Sequence, residues 1–109
     1  MEKQTAILGL AALAQETRLD IFRLLVETGP QGRAAGEIGT QLALPATTLS
    51  FHLKDLRQAG LVTCRRRGRS LIYAADFATM SGLVAYLTEN CCANACGPLS
   101  DCRDLEETS

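Results

Sequence analysis

Apolar positions along the chain fall into helical periods, interrupted once by a strand–turn–strand pattern. Residues 5–14 are apolar almost all round. That predicts a short helix buried on most sides, for which a subunit interface supplies the cover. Thr17-Arg18-Leu19-Asp20 has the spacing of a capping box, with Asp where Glu or Gln is usual. Beyond it Leu19, Phe22, Leu25 and Val26 keep a 3.6-residue period, predicting a second helix that ends near Gly29-Pro30. Gln31-Gly32-Arg33 reads as the connecting loop. Ile38 and Leu42 share one face of a short third helix, and Ala43-Leu44-Pro45 is a turn. Pro45 or the residue after it opens a fourth helix, with Thr47 or Thr48 placed to cap it. Leu49, Leu53 and Leu56 form its buried stripe, and Gly60 its stop. Leu61–Arg65 and Ser70–Ala74 then read as two strands joined through Arg66-Arg67-Gly68. A last helix runs from Phe77 to Glu89 with Phe77, Met80, Val84 and Leu87 on one stripe.

The expected fold is therefore mainly α with a small β-hairpin, a winged helix-turn-helix of order α-α-α-α-β-β-α. Residues 1–90 form the domain, and residues 91–109 a cysteine-bearing, partly disordered tail with an acidic end. The 109 residues suit one domain. Aromatics make up 5%, without tryptophan, so the core must be aliphatic. No apolar run approaches the ~18 residues of a membrane span, and no secretory cleavage pattern follows Met1, so a cytoplasmic protein is expected.

Charge changes the picture through its distribution. The net charge is −1, which alone argues against a nucleic-acid binder. Between Ala46 and Tyr73, however, Lys54, Arg57, Arg65, Arg66, Arg67 and Arg69 face one acid, Asp55, for a local net of +5. A positive patch of this kind meets phosphate whatever the overall charge. The fourth helix carries Thr47, Thr48, Ser50, Phe51, His52 and Lys54 on its exposed side. Small hydroxyl side chains near a helix N-terminus reach phosphates and base edges in a major groove. Phe51 is placed either to meet a thymine methyl or to pack between helix and wing. Arg65, Arg66, Arg67 and Arg69 at the hairpin tip suit phosphates or a minor groove. The bland alternatives are a solvated turn and an ordinary exposed helix face. Four arginines in five residues repel one another without a partner, which disfavours the first.

Cysteine use is the second signal. Four of the five cysteines, Cys91, Cys92, Cys96 and Cys102, lie within twelve residues. In a reducing compartment such a cluster reads as a metal or redox site before a disulfide framework. Cys64 lies in the first strand of the hairpin and reads as packing or surface.

These residues resemble the ArsR/SmtB family of winged-helix metalloregulatory repressors. Ala14–Ile21 is similar to the family's Leu-Ala-x-x-x-Arg-Leu-x-Ile opening. Leu49–Val62 is similar to its Ser-x-His-Leu-x-x-Leu-x-x-Ala-Gly-Leu-Val stretch, and Arg67–Tyr73 to its wing. The resemblance covers residues 5–90 or so and implies a homodimer joined through first and last helices. It implies a repressor that leaves double-stranded operator DNA when an inducer binds. The cysteine site that many arsenic and lead sensors carry on the third helix is missing here, where Ala34-Ala35-Gly36-Glu37-Ile38 stands. The last helix has no histidine, so the zinc, cobalt and nickel site is missing too. Glu89-Asn90-Cys91-Cys92 resembles a subgroup of arsenic repressors with an adjacent cysteine pair there and a third cysteine in the tail. The resemblance implies As(III) as inducer, held by Cys91, Cys92 and either Cys96 or Cys102. Trivalent arsenic is soft, carries a stereochemically active lone pair and takes three thiolates in a trigonal pyramid. The alternatives are a zinc or cadmium site built from all four clustered cysteines, a thiol redox switch, an idle cluster and a winged helix used only for protein contacts. A thiol enzyme is a further alternative, but no Cys-x-x-Cys follows a strand and no phosphate-cradling loop is present.

Overall fold

The computed structural model describes residues 1–91. Five helices and three short strands follow in the order α1 (Lys3–Leu13), α2 (Glu16–Thr28), β1 (Arg33–Ala34), α3 (Ala35–Leu42), α4 (Ala46–Gln58), β2 (Val62–Arg67), β3 (Ser70–Ala75) and α5 (Phe77–Thr88). The predicted winged helix-turn-helix is present, with one strand more than expected. Arg33–Ala34, read from the sequence as part of a loop, forms β1 and pairs antiparallel with β3, Arg33 opposite Tyr73 and Ala34 opposite Ile72. The sheet order is β1-β3-β2.

The core is aliphatic. Ile21, Leu25, Ile38, Leu53, Leu56 and Leu61 are the largest fully buried side chains, and Phe22 and Tyr73 close the cluster. The α4 stripe is as expected, with Leu49, Leu53 and Leu56 all buried. Its turn with α3 depends on Ala43, whose φ of 55° is left-handed. That conformation is uncommon for a residue with a Cβ, and alanine is small enough to adopt it at modest cost. Gly32 has φ +73°, and a Cβ there would be driven into the carbonyl oxygen of Tyr73. Glycine is what lets the chain run close against β3 and register β1.

The helix starts differ from the expected caps. α2 begins at Glu16, and Gln15 accepts a hydrogen bond from the Arg18 amide at 2.8 Å, so Thr17 lies inside the first turn and not at a cap. Pro45 precedes α4 without a side-chain cap, and Thr47 and Thr48 fall within its first turn. At the start of α3, Glu37 accepts the Ala34 amide at 3.1 Å. Asp76 caps α5 by accepting the Thr79 amide at 3.0 Å.

α1 and α5 bury little for their apolar content. α1 turns Ala6, Gly9 and Ala12 inward, while Ile7, Leu8 and Leu10 stay exposed. On α5 the buried residue is Leu83, and Val84 and Leu87 of the expected stripe lie exposed. The helix thus has two apolar faces, of which this subunit uses one. Among the described residues, no helix is long and apolar enough to cross a membrane.

Candidate nucleic-acid interface

α4 and the start of β2 border one groove. Because Leu49, Leu53 and Leu56 hold α4 to the core, the residues between them point away from it. Thr47, Thr48, Ser50, Phe51 and Lys54 are exposed, and His52 is half-buried. Ala46, Thr47, Ser50, Phe51 and Lys54 line one shallow surface. Phe51 is 66% exposed and lies on that outer surface, so it does not pack between helix and wing. His52 is the odd member, because its Nδ1 is buried without a hydrogen-bond partner.

Lys54 also borders a second groove. With Arg57, Gln58, Val62, Thr63 and Cys64 it lines an open cleft of about 570 Å³ between α4 and β2. In the sequence Arg57 belongs to the basic patch without being a candidate contact residue, and Gln58 carries no signal. Cys64 is half-buried and sits opposite Tyr73 in the strand pair. Burial first, and then a hydrogen bond with the Cys64 thiol, push the Tyr73 hydroxyl up from its usual range, with Arg57 partly opposing. Tyr73 is therefore a neutral anchor at the root of the wing.

The arginines divide by role. Arg66, Arg67 and Arg69 are exposed at the tip, where Gly68 with φ +63° and Arg69 make the two-residue connection between Arg67 and Ser70. A glycine with positive φ in the first loop position suits such a hairpin turn. Arg65, also exposed, donates from Nη2 to the Gln31 carbonyl at 2.7 Å and so ties the wing to the α2–β1 loop. Asp55, the single acid of the basic segment, accepts from Arg18 at 3.2 Å. Arg18 also donates from Nε to the Ala12 carbonyl at 2.7 Å, joining the end of α1 to α4. The single acid of the basic segment is thus already partnered.

Of the clustered thiol candidates, Cys91 falls among the described residues, after the end of α5. Cys91 is exposed, one residue beyond Asn90, whose φ of 59° turns the chain after α5. Its amide donates to the Thr88 carbonyl at 3.0 Å. Cys92, Cys96 and Cys102 lie outside the described residues. Leu61 links the start of α5 to α4. Its amide donates to the Leu56 carbonyl at 3.0 Å, and its carbonyl accepts from the Asp76 amide at 2.8 Å. One buried residue therefore joins the end of α4 to the start of α5.

Comparison with known proteins agrees with this architecture. Residues 13–65 match a family described as a helix-turn-helix domain. The chain is 32% identical to the transcriptional activator HlyU of Vibrio cholerae, over 80% of each protein. A 41% identical relative, the uncharacterized regulator YceK of Bacillus subtilis, is matched over 54% of this chain and 58% of its own length. Among solved structures, the homodimeric winged helix-turn-helix domain of Mb0332 from Mycobacterium bovis, a possible ArsR-family transcriptional regulator, superposes with a TM-score of 0.63 at 31% identity, covering 80% of this chain and 81% of that one. A possible transcriptional regulator for arsenical resistance superposes with a TM-score of 0.63 at 28% identity, covering 72% and 79%. The chain belongs to the ArsR family of winged helix-turn-helix transcriptional regulators.

Proposed function

We propose that the protein is a homodimeric repressor that binds double-stranded operator DNA and releases it when trivalent arsenic is bound at the end of α5. The observation that carries the DNA part is the outer surface of α4, lined by Thr47, Ser50, Phe51 and Lys54, whose Lys54 also borders the groove against β2, the strand that leads to exposed Arg66 and Arg67 at the wing tip. α4 enters a major groove, and the wing arginines meet phosphate or a minor groove. The exposed apolar faces of α1 and α5 support a dimer through those helices, and a homodimeric neighbour of the same fold supports it further. Two copies of α4 must then match successive major grooves, about 34 Å apart.

The arsenic part rests on Cys91 and on the chemistry of the cysteines after it. In the interior of a helix, adjacent cysteines diverge. Cys91 stands past the last turn of α5, after left-handed Asn90, and so is not held in the helical geometry that keeps adjacent cysteines apart. A third thiolate from Cys96 or Cys102 completes a trigonal set suited to a soft ion. Closure of these cysteines pulls on α5, whose Phe77 and Met80 pack against the core, whose Leu83 is buried, and whose start is joined to α4 through Leu61. The spacing of the two reading helices changes with it, and coupling of this kind typically weakens binding about 5–150-fold.

Arsenite uptake by the reduced protein is read from the ultraviolet absorbance of arsenic–thiolate bonds. One arsenite per chain is expected, lost in Cys91→Ser and in Cys92→Ser, and lost in one of Cys96→Ser and Cys102→Ser. Retention in both tail variants would favour a two-thiol, methylarsenite-type ligand. No uptake by the wild type, or uptake that survives loss of both Cys91 and Cys92, would sink the arsenic assignment.

A further inference from the structure

Phe51 is the most exposed of the large hydrophobic side chains among the described residues, at 66%. Most of the others lie on α1 and α5, where a second subunit would cover them. Phe51 instead stands on the outer side of α4, ringed by Ala46, Thr47, Ser50 and Lys54. An apolar centre with a rim of hydroxyls and one ammonium group matches a surface that is apolar at one point and polar around it. The flanking charge identifies the partner. Lys54 and Arg57 border the adjoining groove, Arg66, Arg67 and Arg69 are exposed, and Asp55 is paired with Arg18. The partner is therefore a polyanion. In a DNA major groove the one apolar feature on a base edge is the 5-methyl group of thymine.

We infer that Phe51 is a specificity-determining residue that packs its ring on the 5-methyl group of one thymine in each operator half-site. The inference rests on the DNA-binding function proposed above and adds to it a base preference at one position. Burying one methyl group against the ring is worth about fourfold in affinity. With both half-sites engaged by a symmetric dimer, the factor is about fifteenfold.

The test uses the full-length reduced protein and a duplex that it selects from a random pool. Each thymine is replaced in turn by deoxyuridine, which pairs identically and lacks only the methyl group, and affinity is read by fluorescence anisotropy. One thymine per half-site is expected to stand out, with affinity falling about fourfold for one replacement and about fifteenfold for both. In Phe51→Ala that penalty disappears, and in Phe51→Leu a part of it remains. The ring is exposed, so both variants are expected to keep the wild-type circular dichroism and melting temperature. Equal affinity for every deoxyuridine duplex overturns the inference while leaving DNA binding intact. So does an unchanged penalty in Phe51→Ala. A wild type that selects no duplex overturns the DNA-binding function and this inference with it.

Discussion

Replacing Arg66 and Arg67 together by alanine is expected to weaken DNA binding by up to about three orders of magnitude near 0.15 M salt. Both side chains are exposed on β2 next to the tip and neither has an ion-pair partner among the described residues. Each phosphate neutralised contributes about 0.9 to the slope of log affinity against log salt. A dimer that loses four such contacts loses about 3.6 from that slope. The loss is the same for selected and random duplexes, because phosphates carry no sequence information. Arg65 behaves differently. Its guanidinium already holds the Gln31 carbonyl, so Arg65→Ala acts partly through the position of the wing. Binding measured at several salt concentrations separates the two. An unchanged salt slope in the Arg66/Arg67 variant would place the wing off the DNA.

Leu53→Ala is expected to cost about 2–5 kcal/mol of folding stability. The side chain is 2% exposed and lies in the middle of the Leu49–Leu53–Leu56 stripe. A domain of this size holds roughly 5–15 kcal/mol in total, so one substitution removes a large share. The melting temperature should fall by about 8–40 °C, at roughly 4–8 °C per kcal/mol. Its neighbour two positions back provides the internal contrast. Phe51 faces solvent, so Phe51→Ala leaves the melt unchanged while altering base preference. Thermal melts of the two variants side by side check the inside–outside assignment of α4. A stable Leu53→Ala with an unstable Phe51→Ala would mean that the helix is rotated.

The parts of the fold legible in the sequence are those with long periods or special residues. Leu49, Leu53 and Leu56 defined α4, and the turn around Gly68 with alternating strands on either side defined the wing. β1 escaped because two residues, Arg33 and Ala34, carry no alternation, and its pairing is set by Gly32 lying close against Tyr73. The start of α2 escaped because Thr17 and Asp20 have capping-box spacing, whereas the cap is Gln15, a residue type with little preference for that position. The stripe on α5 was ambiguous in the sequence. Phe77 and Met80 continue equally well to Leu83 or to Val84 and Leu87. The subunit buries the first and exposes the second, a division that depends on what covers the helix outside the subunit. In the candidate interface the exposed hydroxyls and Lys54 were readable from their spacing against the leucine stripe, whereas Phe51 stayed open between a base contact and packing against the wing until its 66% exposure decided it. The groove in which Arg57 and Gln58 meet β2 and the tie from Arg65 to Gln31 were not readable, because both depend on how α2, α4 and β2 meet in space.

The most direct test of the central claim is arsenite titration of the reduced protein bound to a fluorescently labelled operator duplex, followed by anisotropy. The account predicts release of the wild type, with affinity falling about 5–150-fold, while Cys91→Ser and Cys92→Ser bind the duplex normally and stay bound. A wild type that remains on the duplex at saturating arsenite, or cysteine variants that are released as readily, would contradict it.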